Sequence, residues 1–397
     1  MPSLMQQVPQ QIETYQQTVN AQSWTDLPGA HASLNIAKLA QQTQQPMFII
    51  TPDMATALRL ERELDFFAAD LPHFVFPDWE TLPYDNFSPH QDIISARLHT
   101  LQQLPNLKQG IVIAPIQTLM QRIAPADYIM ANTFVLEVGM PFLFETMRGQ
   151  LVKYGYRQVS QVLEHGEFAV RGSIIDIYPM GTILPLRIDL FDDEIENLRS
   201  FDPETQRSVE ELQSLEILPA HEFPLDDSGI THFRQQWRSH FEVTAADCPI
   251  YRDVSDGQSP AGIEYYLPLF FDETASVLDY VPSNTTLIQL NDVQTAAAQH
   301  WQQINNRYEQ RRYDTSRPIL APADVFFTPD SLSITGISAQ QIDSNLTDVT
   351  LDNKAENPLH RLQSLLNQHQ QRVLITAETS GRREALFDLL NKHGIKP

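Results

Sequence analysis

Three short apolar runs constrain this chain more than any other feature. They are Pro46-Met-Phe-Ile-Ile50, which closes on a Thr51-Pro-Asp53 turn, Phe74-Val-Phe76, and Ile111-Val-Ile-Ala114. Each is too short for a buried helix and lacks the alternation of a strand with one wet face. They read as strands buried on both sides, which demands a covered, mainly parallel sheet. The intervening stretches have helical spacing. Ala55, Leu58, Leu60 and Leu64 form one apolar stripe, and Ile94, Leu98 and Leu101 another. Ser88-Pro89-His90-Gln91 resembles a helix start, with Ser as N-cap, Pro at N1 and Gln at N3. Strands alternating with helices define an α/β domain over roughly the first 120 residues.

The pattern then changes. Phe168 to Tyr178 and Leu184 to Phe191 read as two strands joined by a Pro-Met-Gly turn, and Arg187, Asp189 and Phe191 alternate with Leu186, Ile188 and Leu190. A period of two with unlike faces marks an antiparallel insert over residues 121–212. Residues 213–335 return to helices and apolar strands such as Thr286–Leu290, while 315–323 and 327–358 are turn-rich and polar, as linkers are. A helix from Pro358 to Gln368, a strand Arg372–Ala377 and a helix after Ser380-Gly make one strand–helix unit, too little to bury a sheet. The last domain, 336–397, is therefore expected to be partial. The Gln-rich stretches Gln6–Gln22 and Gln41–Gln45 read as polar helix surface or loop.

Composition limits the chemistry. Fifty acidic against 27 basic residues leave a formal charge of −23, a field that repels phosphate and argues against duplex DNA as a partner of the whole chain, leaving room only for a local basic patch. The one cysteine, Cys248, excludes an intramolecular disulfide and a thiolate metal cage. No apolar run reaches 18 residues and no signal-peptide pattern opens the chain, so the expected location is cytoplasmic, away from membrane.

No phosphate loop, dinucleotide fingerprint, zincin or nucleophile-elbow pattern occurs among the 14 glycines. The nearest approach, Leu27 to Lys38, has a single Gly29 where a cradle needs several free backbone N–H groups, and Lys38 lacks the following Ser or Thr that grips phosphate and Mg²⁺. Asp192-Asp193-Glu194, Asp226-Asp227 and Glu164-His165-Gly166-Glu167 read as turn charge rather than metal sites. The expectation is no catalytic residue, no metal and no cofactor in this chain.

Three stretches carry a resemblance. Asp78-Trp-Glu-Thr-Leu-Pro-Tyr-Asp-Asn-Phe-Ser-Pro-His-Gln-Asp-Ile-Ile-Ser-Ala-Arg97 resembles the first domain of the bacterial transcription-repair coupling factors (the Mfd family). Gly155-Tyr-Arg157 with Glu164 to Pro179, continuing through Phe191 to Arg199, is similar to the interaction domain that this family shares with the excision-repair protein UvrB. Ala261-Gly-Ile-Glu-Tyr265 with Leu278-Asp-Tyr-Val-Pro282 resembles the segment that returns to the first domain. UvrB keeps an intact phosphate loop and an aromatic hairpin that threads DNA. Here the loop is degenerate, and Trp79 to Arg97 leaves no room for the hairpin.

The resemblance implies a multidomain α/β chain from the amino-terminal part of a longer protein. Residues 1–120 would be a RecA-like parallel-sheet domain with a degenerate nucleotide fold. Residues 121–212 would be a small antiparallel α+β domain that binds UvrA, 213–335 would complete the first domain, and 336–397 would be a linker and a truncated third domain. Arg157 and Arg171 are the expected anchors for UvrA, since arginine forms bidentate carboxylate pairs and dominates interface hot spots. A solvated strand face, with these arginines paired to Asp176 or Glu167, is the alternative. Phe168 and Tyr178 either add aromatic contact or belong to the sheet core. UvrB has a further arginine where this chain has Ala169. ATP, Mg²⁺, DNA and RNA polymerase would engage other parts of the parent, and intramolecular contacts with its carboxy-terminal part are expected. A UvrB-like ATP-dependent damage-recognition subunit, or a purely structural or autoinhibitory brace, are the competing functions.

Overall fold

A computed structural model describes residues 20–24, 29–332, 338–339 and 348–396, apart from 353, 369–372, 374, 376 and 378. Two compact units result, Met1–Gln341 and Ile342–Pro397.

The first unit is built on a six-stranded sheet whose described pairings are all parallel. Its strands are β1 (Asn20–Trp24), β2 (Pro46–Thr51), β3 (His73–Val75), β4 (Gly110–Pro115), β13 (Thr286–Leu290) and β14 (Ser338–Ala339). The order is β14-β1-β13-β2-β4-β3. Every residue of β2 and β4 is buried, as wholly apolar strands between two helical layers must be. β13 lies between β1 and β2 although some 170 residues of chain separate it from β4. The sheet therefore closes only after the insert has been built and the chain has come back.

Helices α1 (His31–Thr43), α2 (Met54–Phe67) and α3 (Gln91–Gln103) pack around this sheet. Three local expectations are corrected. In α2 the buried stripe is Ala57, Leu60 and Leu64, whereas Ala55 and Leu58 face solvent. Spacings of three and four keep the first set on one side of a 3.6-residue turn, and Leu58 falls off it. The N-cap of α3 is His90, whose Nδ1 accepts from the Asp92 amide at 3.3 Å. Ser88 is drawn away by tertiary partners: its Oγ donates to Glu264 at 2.9 Å and accepts the Gly262 amide at 3.0 Å. Gln22, read as polar helix or loop, lies in β1; residues 6–19 of that Gln-rich stretch lie outside the described residues.

The insert begins on a two-stranded antiparallel ribbon, β5 (Phe134–Glu137) with β12 (Ser214–Ile217), so its entry and exit are hydrogen-bonded together. After helix α4 (Phe144–Lys153) comes a second sheet of β6 (Arg157–Gln158), β7 (Glu167–Arg171), β8 (Ile174–Ile177), β9 (Leu186–Phe191), β10 (Glu194–Phe201) and β11 (Ser208–Leu212), in that spatial order. All neighbours are antiparallel except β6 and β7. The run Phe168–Tyr178 is thus two strands, not one. Gly172 at φ +65° permits the two-residue reversal between Arg171 and Ile174. The Pro-Met-Gly turn then leads from β8 to β9, and the Gly181 amide donates to Ser95 Oγ on α3 at 2.8 Å.

A buried ion pair fastens the chain just past the insert's exit strand to the parallel-sheet domain. Arg97, last residue of the first family stretch, is fully buried on α3. Its Nε and Nη2 donate to both carboxylate oxygens of Glu222, at 2.5 and 3.2 Å, and its Nη1 donates to the Pro77 carbonyl and Gln121 Oε1. Phe76 and Trp79 stack on the guanidinium at 4.4 and 5.3 Å. His165 makes a second joint, bonding Asp92 at 2.8 Å and the Thr182 carbonyl at 2.8 Å.

In the second unit, helices α7 (His360–Gln368) and α8 (Ser380–Lys392) enclose a small cluster of Leu359, Leu390 and Ile395. Of the strand expected over Arg372–Ala377, residues 372, 374 and 376 lie outside the described residues, as do 333–337, 340–347 and 353 of the expected linker.

Candidate interaction surface

The period of two sorts the insert sheet into faces. Phe168, Ile175, Ile177, Leu186, Ile188 and Leu198 point to the core and are buried. On the other face the register aligns Ala169, Asp176, Arg187, Arg199 and Glu211 in one cross-strand row. Within it Arg187 faces Asp176 and Arg199 faces Glu211, opposite charges that favour the register, while the two arginines also face each other and each needs an acid. Asp176, buried at 3% exposure, takes both Arg187 Nε and Nη2, at 2.6 and 2.9 Å. Arg187 also lies 4.6 Å from the Phe201 ring. Arg199 pairs with Asp189.

The four residues expected to meet a partner separate. Arg157, at the start of β6, keeps its side chain 70% exposed while Nη2 donates to Glu167 at 2.6 Å. Burial by itself would raise the Glu167 carboxyl, but the Leu163 and Glu164 amides and the Arg157 guanidinium together hold it below the ordinary carboxylate range. One buried acid thus fixes both the arginine and the turn beside it. Arg171, at the end of β7, is exposed and donates to the Ser160 carbonyl at 3.0 Å; it has no carboxylate partner among the described residues. Tyr178 is half-buried, stacks on His165 at 3.9 Å and donates to the Ile183 carbonyl. Phe168 is 1% exposed and belongs to the sheet core, so its ring offers no contact.

An exposed aromatic does exist on this sheet. Phe191 ends β9 at 67% exposure and shares the parity of Arg187 and Asp189, which places it on the charged face. The alternation in the sequence carried that signal. Opposite Ala169, Asp176 already receives both of its charged hydrogen bonds from Arg187.

The acidic clusters take structural roles. Asp192 and Asp193 form the exposed β9–β10 turn, and Asp226 caps helix α5 (Asp227–His240), accepting the Gly229 amide at 2.9 Å. Among the described residues no group of three His, Cys, Asp or Glu side chains is placed to hold a metal, and no helix is long and apolar enough to cross a membrane. At the degenerate loop, Gly29 lies in the turn before α1, while Lys38 faces solvent two turns into the helix, roughly 10 Å along its axis. Residues 27 and 28 lie outside the described residues. The first turn of α1 instead meets a carboxylate, Ser33 Oγ donating to Glu63 at 2.7 Å.

The stretch that carries this sheet, residues 134–223, matches the family model described as the UvrB interaction domain. A second model, the MFD D3 domain, matches 365–397. The chain is 43% identical over 390 residues to the transcription-repair-coupling factor of Haemophilus influenzae, covering 94% of this chain and 34% of that protein. The factor of Escherichia coli is 41% identical with the same coverage. That of Bacillus subtilis is 30% identical over 276 residues, 66% of this chain and 23% of the relative. The chain belongs to the transcription-repair-coupling factor family and spans about a third of the length of the first two relatives.

Proposed function

We propose that the insert docks on UvrA, and that this chain is the non-catalytic adaptor region of a transcription-repair coupling factor, recruiting excision repair to RNA polymerase stalled at lesions. The ATP-driven motor, its Mg²⁺ and its DNA belong to other parts of the parent. The observation that carries this reading is Arg171: an exposed guanidinium without a carboxylate partner among the described residues, on a face that also presents Arg157 and Phe191. Calorimetric titration with purified UvrA tests it. Arg171→Ala and Phe191→Ala are each expected to weaken binding by about 2 kcal/mol, roughly thirtyfold. Arg157→Ala is expected to lose less, because Glu167 already neutralises much of its charge. No binding by the wild-type chain would end the reading, and normal binding by all three variants would move the surface elsewhere.

The competing ATPase reading meets Lys38 two turns from the helix start and Glu63 beside the first turn, an arrangement unfavourable to a phosphate. Saturating ATP with Mg²⁺ is expected to leave the melting temperature unchanged. Binding at a hundred times Kd would add about 2.7 kcal/mol, so a rise of several degrees would favour the ATPase.

A further inference from the structure

One region departs from the acidic character of the chain. At the carboxy end of helix α6 (Val293–Arg311), the segment from Arg307 to Arg317 holds four arginines, Arg307, Arg311, Arg312 and Arg317, and two acids, Asp314 and Glu309, the latter paired with Arg312 at 3.0 Å. Arg307 Nε donates to the Pro83 carbonyl at 2.6 Å, and Arg311 Nη1 donates to Asn86 Oδ1 at 2.9 Å, so the helix end is pinned to the loop that precedes α3. This pinning brings Phe87 and Tyr313, 71% and 73% exposed, to the same end of the helix. Arg312 lies 4.9 Å from the Tyr313 ring centroid and donates to its hydroxyl.

From here a groove of about 480 Å³ runs back along α6 beside Leu82. Gln299, Gln303, Asn306 and Gln310 line it, with Arg307 among them, and no carboxylate of the described residues lines it although the chain has 50 acidic residues.

We propose that this groove and its arginine end bind single-stranded nucleic acid. Arginine neutralises phosphate, side-chain amides donate to and accept from base edges, and exposed rings stack on unpaired bases. A duplex keeps its bases stacked and leaves Phe87 and Tyr313 without a partner. An acidic protein segment would engage the arginines alone and make no use of the amide groove or the rings. The site lies apart from Arg157, Arg171 and Phe191 and does not depend on the adaptor reading.

The test is fluorescence anisotropy of a labelled 20-nucleotide oligothymidine on the full chain at low salt, with the matching duplex and polyglutamate as competitors. The single strand is expected to bind, to outcompete both, and to weaken steeply with salt. Arg311→Ala with Arg312→Ala should raise Kd at least tenfold and flatten the salt dependence by about two phosphate contacts. Phe87→Ala with Tyr313→Ala should raise Kd about tenfold and leave the salt dependence unchanged. Because Arg311 also holds Asn86, Arg312→Ala alone is measured beside the pair, and each variant's melting temperature is compared with wild type. Absence of binding, competition by polyglutamate equal to that by the oligonucleotide, or variants of wild-type stability that bind as wild type would each overturn the proposal.

Discussion

Replacing Arg97 with alanine is expected to destabilise the first unit by about 3–5 kcal/mol, read as a fall in the urea midpoint. The size follows from what is left behind. Glu222 is 3% exposed and receives both of its charged hydrogen bonds from this one guanidinium. Without it a carboxylate stays buried and unpaired, Pro77 and Gln121 lose a donor, and Phe76 and Trp79 border a cavity. Glu222→Gln keeps a hydrogen-bond acceptor but strands the guanidinium, and should cost nearly as much. The double change Arg97→Leu with Glu222→Leu should cost distinctly less than Arg97→Ala, since an apolar replacement of a buried pair removes both desolvation penalties. If Arg97→Ala falls within about 1 kcal/mol of wild type, the pair is not the joint between the insert's exit and the sheet domain. Because Glu222 lies just past the exit strand β12, the loss should also loosen the insert, visible as faster amide exchange in β5 and β12.

That joint was out of reach of sequence reasoning for a definite reason. Arg97 and Glu222 are 125 residues apart, and neither has a local pattern that marks it as buried. The apolar strands β2 and β4 were legible because burial on both faces writes itself as an unbroken apolar run. β1 was not, since Asn-Ala-Gln-Ser-Trp has a polar composition and is held by its backbone ladder to β13. Ser88 illustrates a conflict between levels: its local context favours a cap, and two tertiary hydrogen bonds outbid that preference. On the insert, parity decides which aromatic is available. Phe168 is in register with Ile177 on the core face, whereas Phe191 alternates with Leu190 and shares its face with Arg187. The family stretch points to both arginines, but their unequal freedom, Arg157 tied to Glu167 and Arg171 without an acid among the described residues, is a property of folded geometry.

Glu264→Gln is expected to stabilise the chain by about 3 kcal/mol at pH 8 and by less than about 1 kcal/mol at pH 5. Burial, first, and then the nearby Glu222 charge raise the Glu264 carboxyl from its ordinary 4.5 to about 7, against the opposing effects of its own backbone amide, Ser88 and Arg317. A carboxyl whose folded value lies above its unfolded value favours folding fully below pH 4.5, where both states hold the proton. The advantage declines as pH rises, because the unfolded chain ionises first, and it is lost once pH passes through 7. The displacement from 4.5 to about 7 corresponds to about 3 kcal/mol. Glutamine has the shape of the protonated acid, can still accept from Ser88 Oγ, and stays neutral at every pH, so the variant should hold its acid-side stability into alkaline solution. Paired urea titrations at pH 5 and pH 8 separate this from a packing effect. An equal shift at both values would show that the substitution acts through shape alone. A destabilisation at pH 8 would mean that the ionised carboxylate has a counter-charge there, and that the segment from Gly262 to Tyr265 grips the first domain through charge rather than through the neutral Ser88 contact.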